Sequence, residues 1–272
     1  MKTYKLYPAA ALVGGAAAAA VRLAQNRTGF EAATGLPVSG NLWARLLVAI
    51  LVLLGAGSFL LTRRIPYKAD DPSAAFSEFF SSTSAALVSI TLAGAALIGV
   101  AGVWETAAGM GFLSDGTAVP DRLHTILGLM TLLTAAALFP AVAGCRRSGA
   151  HEAAPAVRRP IQDVFLLVPA VFCVIRLVVT YREDSIDPSL SAYYVELLAL
   201  VFLTLSLYRL SSFAFGAGDS RRFIFYAMGA VVLCAAVLTD PLPVYTKLYF
   251  AGGALLLLGF LLLRLDRLPQ KR

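Results

Sequence analysis

The chain predicts an all-α fold: a polytopic transmembrane helical bundle of about eight spans, with both termini cytoplasmic. Three observations predict it: the composition, the recurrence of apolar runs of bilayer length, and the alternation of cations between those runs. Of 272 residues, 58% are hydrophobic and only 14% charged, where a soluble domain carries roughly 25% charged residues. The bias extends along the whole length, so residues 1–272 read as one integral membrane domain with no room for a sizeable soluble one. A transmembrane β-barrel would show short alternating strands, and these runs are continuous.

Eight apolar runs fall at 5–23, 43–62, 76–103, 122–144, 161–181, 190–214, 221–239 and 244–263. Each reaches roughly the 17–25 residues that cross a bilayer, two of them somewhat more. With both termini inside, sixteen of the 23 Lys and Arg residues lie on the cytoplasmic side. Six lie outside (Arg22, Arg27, Arg45, Arg122, Arg182 and Lys247), and Arg176 falls within a span. This alternation is the positive-inside pattern.

Taken in order, the first run follows the basic start MKTYK and is rich in Ala and Gly. It reads as a retained helix suited to close packing; a cleaved secretory signal is the alternative, leaving seven spans. A polar outer stretch from Arg22 to Asn41 follows, broken by Gly29, Gly35, Pro37 and Gly40. It includes the short glycosylation pattern Asn26-Arg27-Thr28.

The third run opens with Ser81, Ser82, Thr83 and Ser84 and continues through Gly94, Gly99 and Gly102. Small and hydroxyl residues of this kind let helices approach closely, and the alternative is a polar wall beside a cavity. Trp104 and Glu105 read as an interfacial anchor and an exposed outer acid. The fourth run starts at Pro120, Asp121, Arg122 and His124, ordinary helix-start chemistry. The basic loop SGAHEAAPAVRR then leads to the fifth run. The seventh and eighth form an outer hairpin around Asp240-Pro241-Leu242-Pro243, with Tyr245, Lys247 and Tyr249 as anchors.

The hairpin of the fifth and sixth runs carries one ionisable residue in each, Arg176 and Glu196. Charge at membrane depth is costly, so it usually has a partner or faces a wet cavity. Arg176 lies about 7.5 Å below Tyr181, and Glu196 about 4.5 Å below Tyr193, at 1.5 Å per residue. Similar depth on neighbouring helices makes an Arg176–Glu196 pair geometrically available. Thr180 and Glu183 share the helical stripe of Arg176, and Tyr193 shares that of Glu196. Arg176, Glu196, Tyr193, Thr180 and Glu183 are therefore the candidate ligand-binding residues. Three roles compete for the pair: an interhelical clamp, an outward-open pocket for an anionic group, and an arginine that snorkels to water.

No HExxH, GxSxG or GxxxxGK[ST] occurs, which removes zincin, hydrolase and P-loop chemistry. The two histidines, His124 and His151, are expected on opposite faces of the membrane, so no catalytic residue, metal site or cofactor is expected. Cys145, Cys173 and Cys234 form neither a disulfide framework nor a zinc motif. The net charge of +7 is topogenic and calls for no nucleic acid. The segments TGFEAATGL and YREDSIDPSLSAYY resemble stretches of bacterial multi-spanning proteins, a resemblance that implies no activity. The expected partners are the lipid bilayer, a small-molecule ligand and a membrane protein. The leading expectation is a non-enzymatic protein that binds or moves a small, anionic solute or lipid. A non-catalytic structural or accessory subunit of a membrane complex is the alternative.

Overall fold

The structure is a computed structural model that describes residues 6–31, 36–38, 40–65, 74–112, 121–146, 160–185 and 190–268. Among these it forms ten helices: α1 (Leu6–Thr28), α2 (Leu42–Arg63), α3 (Phe76–Phe80), α4 (Ala85–Gly109), α5 (Arg122–Ala143), α6 (Pro160–Phe165), α7 (Val168–Asp184), α8 (Leu190–Ser212), α9 (Ser220–Val237) and α10 (Val244–Arg267). Eight helical stretches are long and apolar enough to cross a membrane, with α6 and α7 merging into the one from Asp163 to Glu183. The chain is thus all-helical in its described part and has the build of a multi-pass membrane protein.

Each helix touches the next in the order α10, α4, α5, α7, α8, α9 and back to α10, so six helices close a ring. Helices α1 and α2 lie outside it against α9. Burial follows this plan: 67% of the α9 and α10 spans is buried inside the protein, against 6% of α2. The ring is tight where glycine lets backbones meet. A Cβ on Gly94 of α4 would stand 2.6 Å from the Leu256 Cα of α10, and one on Gly102 would stand 2.9 Å from the Leu132 nitrogen of α5. In a membrane, where lipid is as apolar as leucine, such close contact supplies much of the association energy.

The third run is not one helix. It divides into α3, a break at Ser81–Ser84 and then α4. The break has a local cause, since serine hydroxyls compete with helical hydrogen bonds. Ser82 Oγ accepts from the Ser84 nitrogen and donates to Asp266 Oδ2, while the Ser82 nitrogen donates to the Cys145 carbonyl. The transmembrane helix therefore starts later and ends later than its hydropathy suggests. Glu105, read from sequence as an exposed outer acid, lies four residues inside the end of α4 and is 1% exposed. Arg22 changes place in the same way. Helix α1 continues to Thr28, so Arg22 is buried in a helix rather than lying in the outer loop.

At the ring end that carries Arg264 and Arg267, α3 lies against α10. Phe80 is fully buried and its ring packs on Phe213, Phe223 and Phe260, from the end of α8 and from α9 and α10. Arg264 Nε donates to Ser220 Oγ at 2.8 Å, and its guanidinium lies over the Phe79 and Phe213 rings. Aromatic side chains thus stop the ring at this end. The His151 loop, residues 186–189 between α7 and α8, and both chain termini lie outside the described residues.

Candidate functional site

Two buried arginine–carboxylate pairs sit towards the opposite end of the bundle, and they differ in how far they are satisfied. In the first, Arg22 of α1 donates from Nε to Asp240 Oδ1 at 2.7 Å and from Nη2 to Oδ2 at 3.2 Å. Its Nη1 donates to Gln25 Oε1 at 3.1 Å. Asn26 Nδ2 adds a 2.7 Å bond to the same Asp240 Oδ1. The Tyr194 ring, rather than that of its neighbour Tyr193, lies under the guanidinium at 5.6 Å. This two-pronged pair fastens α1 to the turn between α9 and α10, with its donors and acceptors engaged.

The second pair is centred on Arg176 of α7. Its Nη1 donates to Glu105 Oε2 of α4 at 2.9 Å and lies 3.5 Å from Thr131 Oγ1 of α5. The guanidinium carbon lies 4.3 Å from the centre of the Tyr249 ring on α10, a cation–π arrangement. The Tyr249 hydroxyl meets Cys173 Sγ, one turn from Arg176, at 2.9 Å. Glu196 on α8 is buried, and its charge acts on the same guanidinium. Five of the six ring helices thus converge on Arg176, as expected for the inside of a ring.

The expected Arg176–Glu196 pair is therefore replaced in direct contact by Arg176–Glu105, with Glu196 as a second carboxylate in its field. Packing decided this, because Gly102 and Gly109 draw α4 onto α5 and α5 lies against α7. A sequence signal for Glu105 did exist. Thr91, Gly94, Ile98, Ala101, Glu105 and Gly109 recur at three- and four-residue intervals, and all six are buried. The buried stripe passes through Glu105 without a break.

This second pair is incompletely satisfied. Among the described residues, the hydrogen bonds of Arg176 run through Nη1, and the buried Glu105 Oε1 has no hydrogen-bond partner. Thr131 Oγ1 lies 3.2 Å from Glu105 Oε2 and 2.8 Å from the Leu127 carbonyl. With one hydroxyl proton to give, it serves only one of the two.

A series of polar side chains leads from the surface towards this centre. Exposed Asp121 caps α5 through the Leu123 nitrogen, and its Oδ2 lies 2.7 Å from His124 Nδ1. The hydrogen bond from His124 outweighs partial desolvation and holds the Asp121 carboxyl below its usual range. The His124 ring meets Tyr245, one turn above Tyr249 on α10, at 6.0 Å. The Tyr245 hydroxyl lies in the combined field of Glu105, Arg176, Glu183 and Asp121. Glu183 is exposed in the last turn of α7. Thr180 is half-buried one turn from Arg176 on α7, and Tyr193 is half-buried on α8. Neither makes a hydrogen bond to Arg176 among the described residues.

Two apolar cavities lie elsewhere in the bundle, and neither is lined by Arg176. One lies between α4 and α5 around Gly99 and Phe139, and the other between α2, α8 and α9. Among the described residues, no three His, Cys, Asp or Glu side chains converge in a way that could hold a metal ion. Comparisons with protein-family models, curated proteins and solved structures give no match for this chain.

Proposed function

We propose that this multi-pass membrane protein binds a small polar solute inside the helical ring. In this reading Arg176 holds the solute's acidic group and Glu105 accepts a proton donor on the same molecule. The observation that carries it is the buried Glu105 Oε1, which has no hydrogen-bond partner among the described residues, beside an Arg176 guanidinium that donates to that carboxylate from one nitrogen only. Buried polar groups are nearly always satisfied, and an exception calls for an explanation. The Arg22–Asp240 pair in the same bundle shows that this chain can satisfy such a pair. A ligand with an anionic group and an N–H or O–H donor, a small zwitterion or hydroxy acid, would complete both sides. Glu196 would tune the site, Tyr249 would hold the guanidinium flat, and Asp121, His124, Glu183 and Tyr245 would mark the approach from the outer face. Both termini are then cytoplasmic in the cell membrane, and passage of the solute would require the aromatic stop at Phe80 to move.

Burial favours a second reading. Arg176, Glu105 and Glu196 are 4%, 1% and 7% exposed, which suits a clamp in a non-catalytic structural or accessory subunit. Thermal denaturation of the purified protein against amino acids, hydroxy acids and simple carboxylates separates the two. Solute binding predicts that some of these compounds raise the melting temperature of the wild type, and that Arg176→Lys loses the rise while melting close to the wild type. If no compound shifts the wild type and Arg176→Lys and Glu105→Gln merely destabilise it, the clamp is correct.

A further inference from the structure

The cavity between α2, α8 and α9 lies on the flank of the bundle, away from Arg176. It has a volume of about 210 Å³, is apolar, and is lined by Leu54, Gly55, Ser58, Phe202, Phe225 and Gly229 among others. Its rim includes Val52 and Leu198, both exposed, so it opens to the surface that faces hydrocarbon in a membrane. The space at Gly55 is empty, with no atom within 4 Å of where a Cβ would stand.

Cations stand at one end of this groove. The guanidinium of Arg63, in the last turn of α2, lies 4.6 Å from the centre of the Phe59 ring. Phe59 meets Phe225 of the groove wall at 6.2 Å, and Phe225 meets Phe202 at 6.3 Å. On α8, Arg209 is seven residues past Phe202 and so on the same face, about 10.5 Å further along. Among the described residues neither Arg63 nor Arg209 pairs with a carboxylate, whereas Arg222 nearby pairs with Asp219. The Arg209 Nε is buried and has no hydrogen-bond partner. An apolar slot open to the bilayer and ending in two uncompensated guanidinium groups is complementary to a molecule with a hydrocarbon tail and an anionic head.

We infer that the α2–α8–α9 groove binds one anionic phospholipid, with an acyl chain along Gly55 and Phe202 and the phosphate between Arg63 and Arg209. The lipid would cover the face of α2 that the protein leaves open and join that helix to the ring. Phosphate recognition suits guanidinium, whose planar donors match phosphate oxygens two at a time.

Native mass spectrometry of the delipidated full-length protein, titrated with phosphatidylglycerol and phosphatidylcholine of the same chains, tests this. The wild type should prefer phosphatidylglycerol roughly tenfold or more, the effect of two cations near a lipid headgroup. Arg63→Ala/Arg209→Ala should lose the preference, and Arg63→Lys/Arg209→Lys should retain part of it, which shows that charge and not folding was removed. Gly55→Leu should fill the slot and weaken both lipids while elution on size exclusion stays unchanged. Equal binding of the two lipids by the wild type, or an intact preference in the double alanine variant, would overturn the inference. A covalent dimer formed through Gly55→Cys would assign the groove to a second copy of the chain and overturn it as well.

Discussion

The Arg176 guanidinium reaches Glu105 through one nitrogen only, at 2.9 Å, whereas Arg22 holds Asp240 with two, at 2.7 and 3.2 Å. Both pairs are buried, so desolvation weighs on them alike. The difference lies in what each pair leaves unmet, and it separates a fastening from a site that still has an acceptor to offer.

Arg22→Ala should therefore act on stability alone. Removing one partner of a buried pair leaves the other charge uncompensated and costs about 3–5 kcal/mol. Arg22→Ala combined with Asp240→Ala should cost less than the sum of the single changes, because neither charge is then left behind. Thermal melting of the four proteins in one detergent checks this, and binding of any solute at Arg176 should persist in the variants that fold.

Arg176→Lys keeps the charge and loses the planar fork. For a ligand held by Nε and Nη2 the expected loss is about 1.5–3 kcal/mol, or roughly 10- to 150-fold in Kd. Glu105→Gln should weaken a zwitterion and tighten a simple carboxylate, since the internal competitor for Arg176 has gone. Isothermal titration of both ligand types against both variants would reveal that opposite response. A clamp predicts no such reversal.

The ring should resist even a methyl group where helices touch. Gly94→Ala would drive its Cβ into the Leu256 backbone, and overpacking of this kind costs typically about 1–3 kcal/mol. Gly55→Ala, in open space on α2, should be neutral or slightly stabilising, because alanine favours helix over glycine by up to about 1 kcal/mol. The two melting temperatures, compared directly, test whether glycine serves close approach at one position and not at the other.

The Asp121 cap has a defined pH dependence. Its carboxyl is held below the ordinary value, chiefly by the His124 hydrogen bond. Its contribution is thus present above the unfolded value of about 4 and is lost as pH falls through the lower folded value. Asp121→Ala should cost about 1 kcal/mol at neutral pH for the lost cap, with little more from an ion pair so exposed. The gap in melting temperature between wild type and variant should narrow as the pH is lowered below about 4.

The sequence by itself determined the number of apolar helices and their places to within about two turns. That information is local: a bilayer demands a run of a certain length, and hydropathy reports such runs directly. It also marked Arg176 as unusual, since any charge inside a span is costly wherever its neighbours lie. Only the tertiary structure decided which carboxylate would meet it. Three serines and a threonine broke the third run and slid α4 outward, carrying Glu105 into the span. Glycines drew α4 onto α5 beside Arg176, while α8 placed Glu196 near the guanidinium without giving it the direct contact. Partner choice depends on helix register and on the closure of a ring among segments far apart in the chain, and no stretch of sequence contains either.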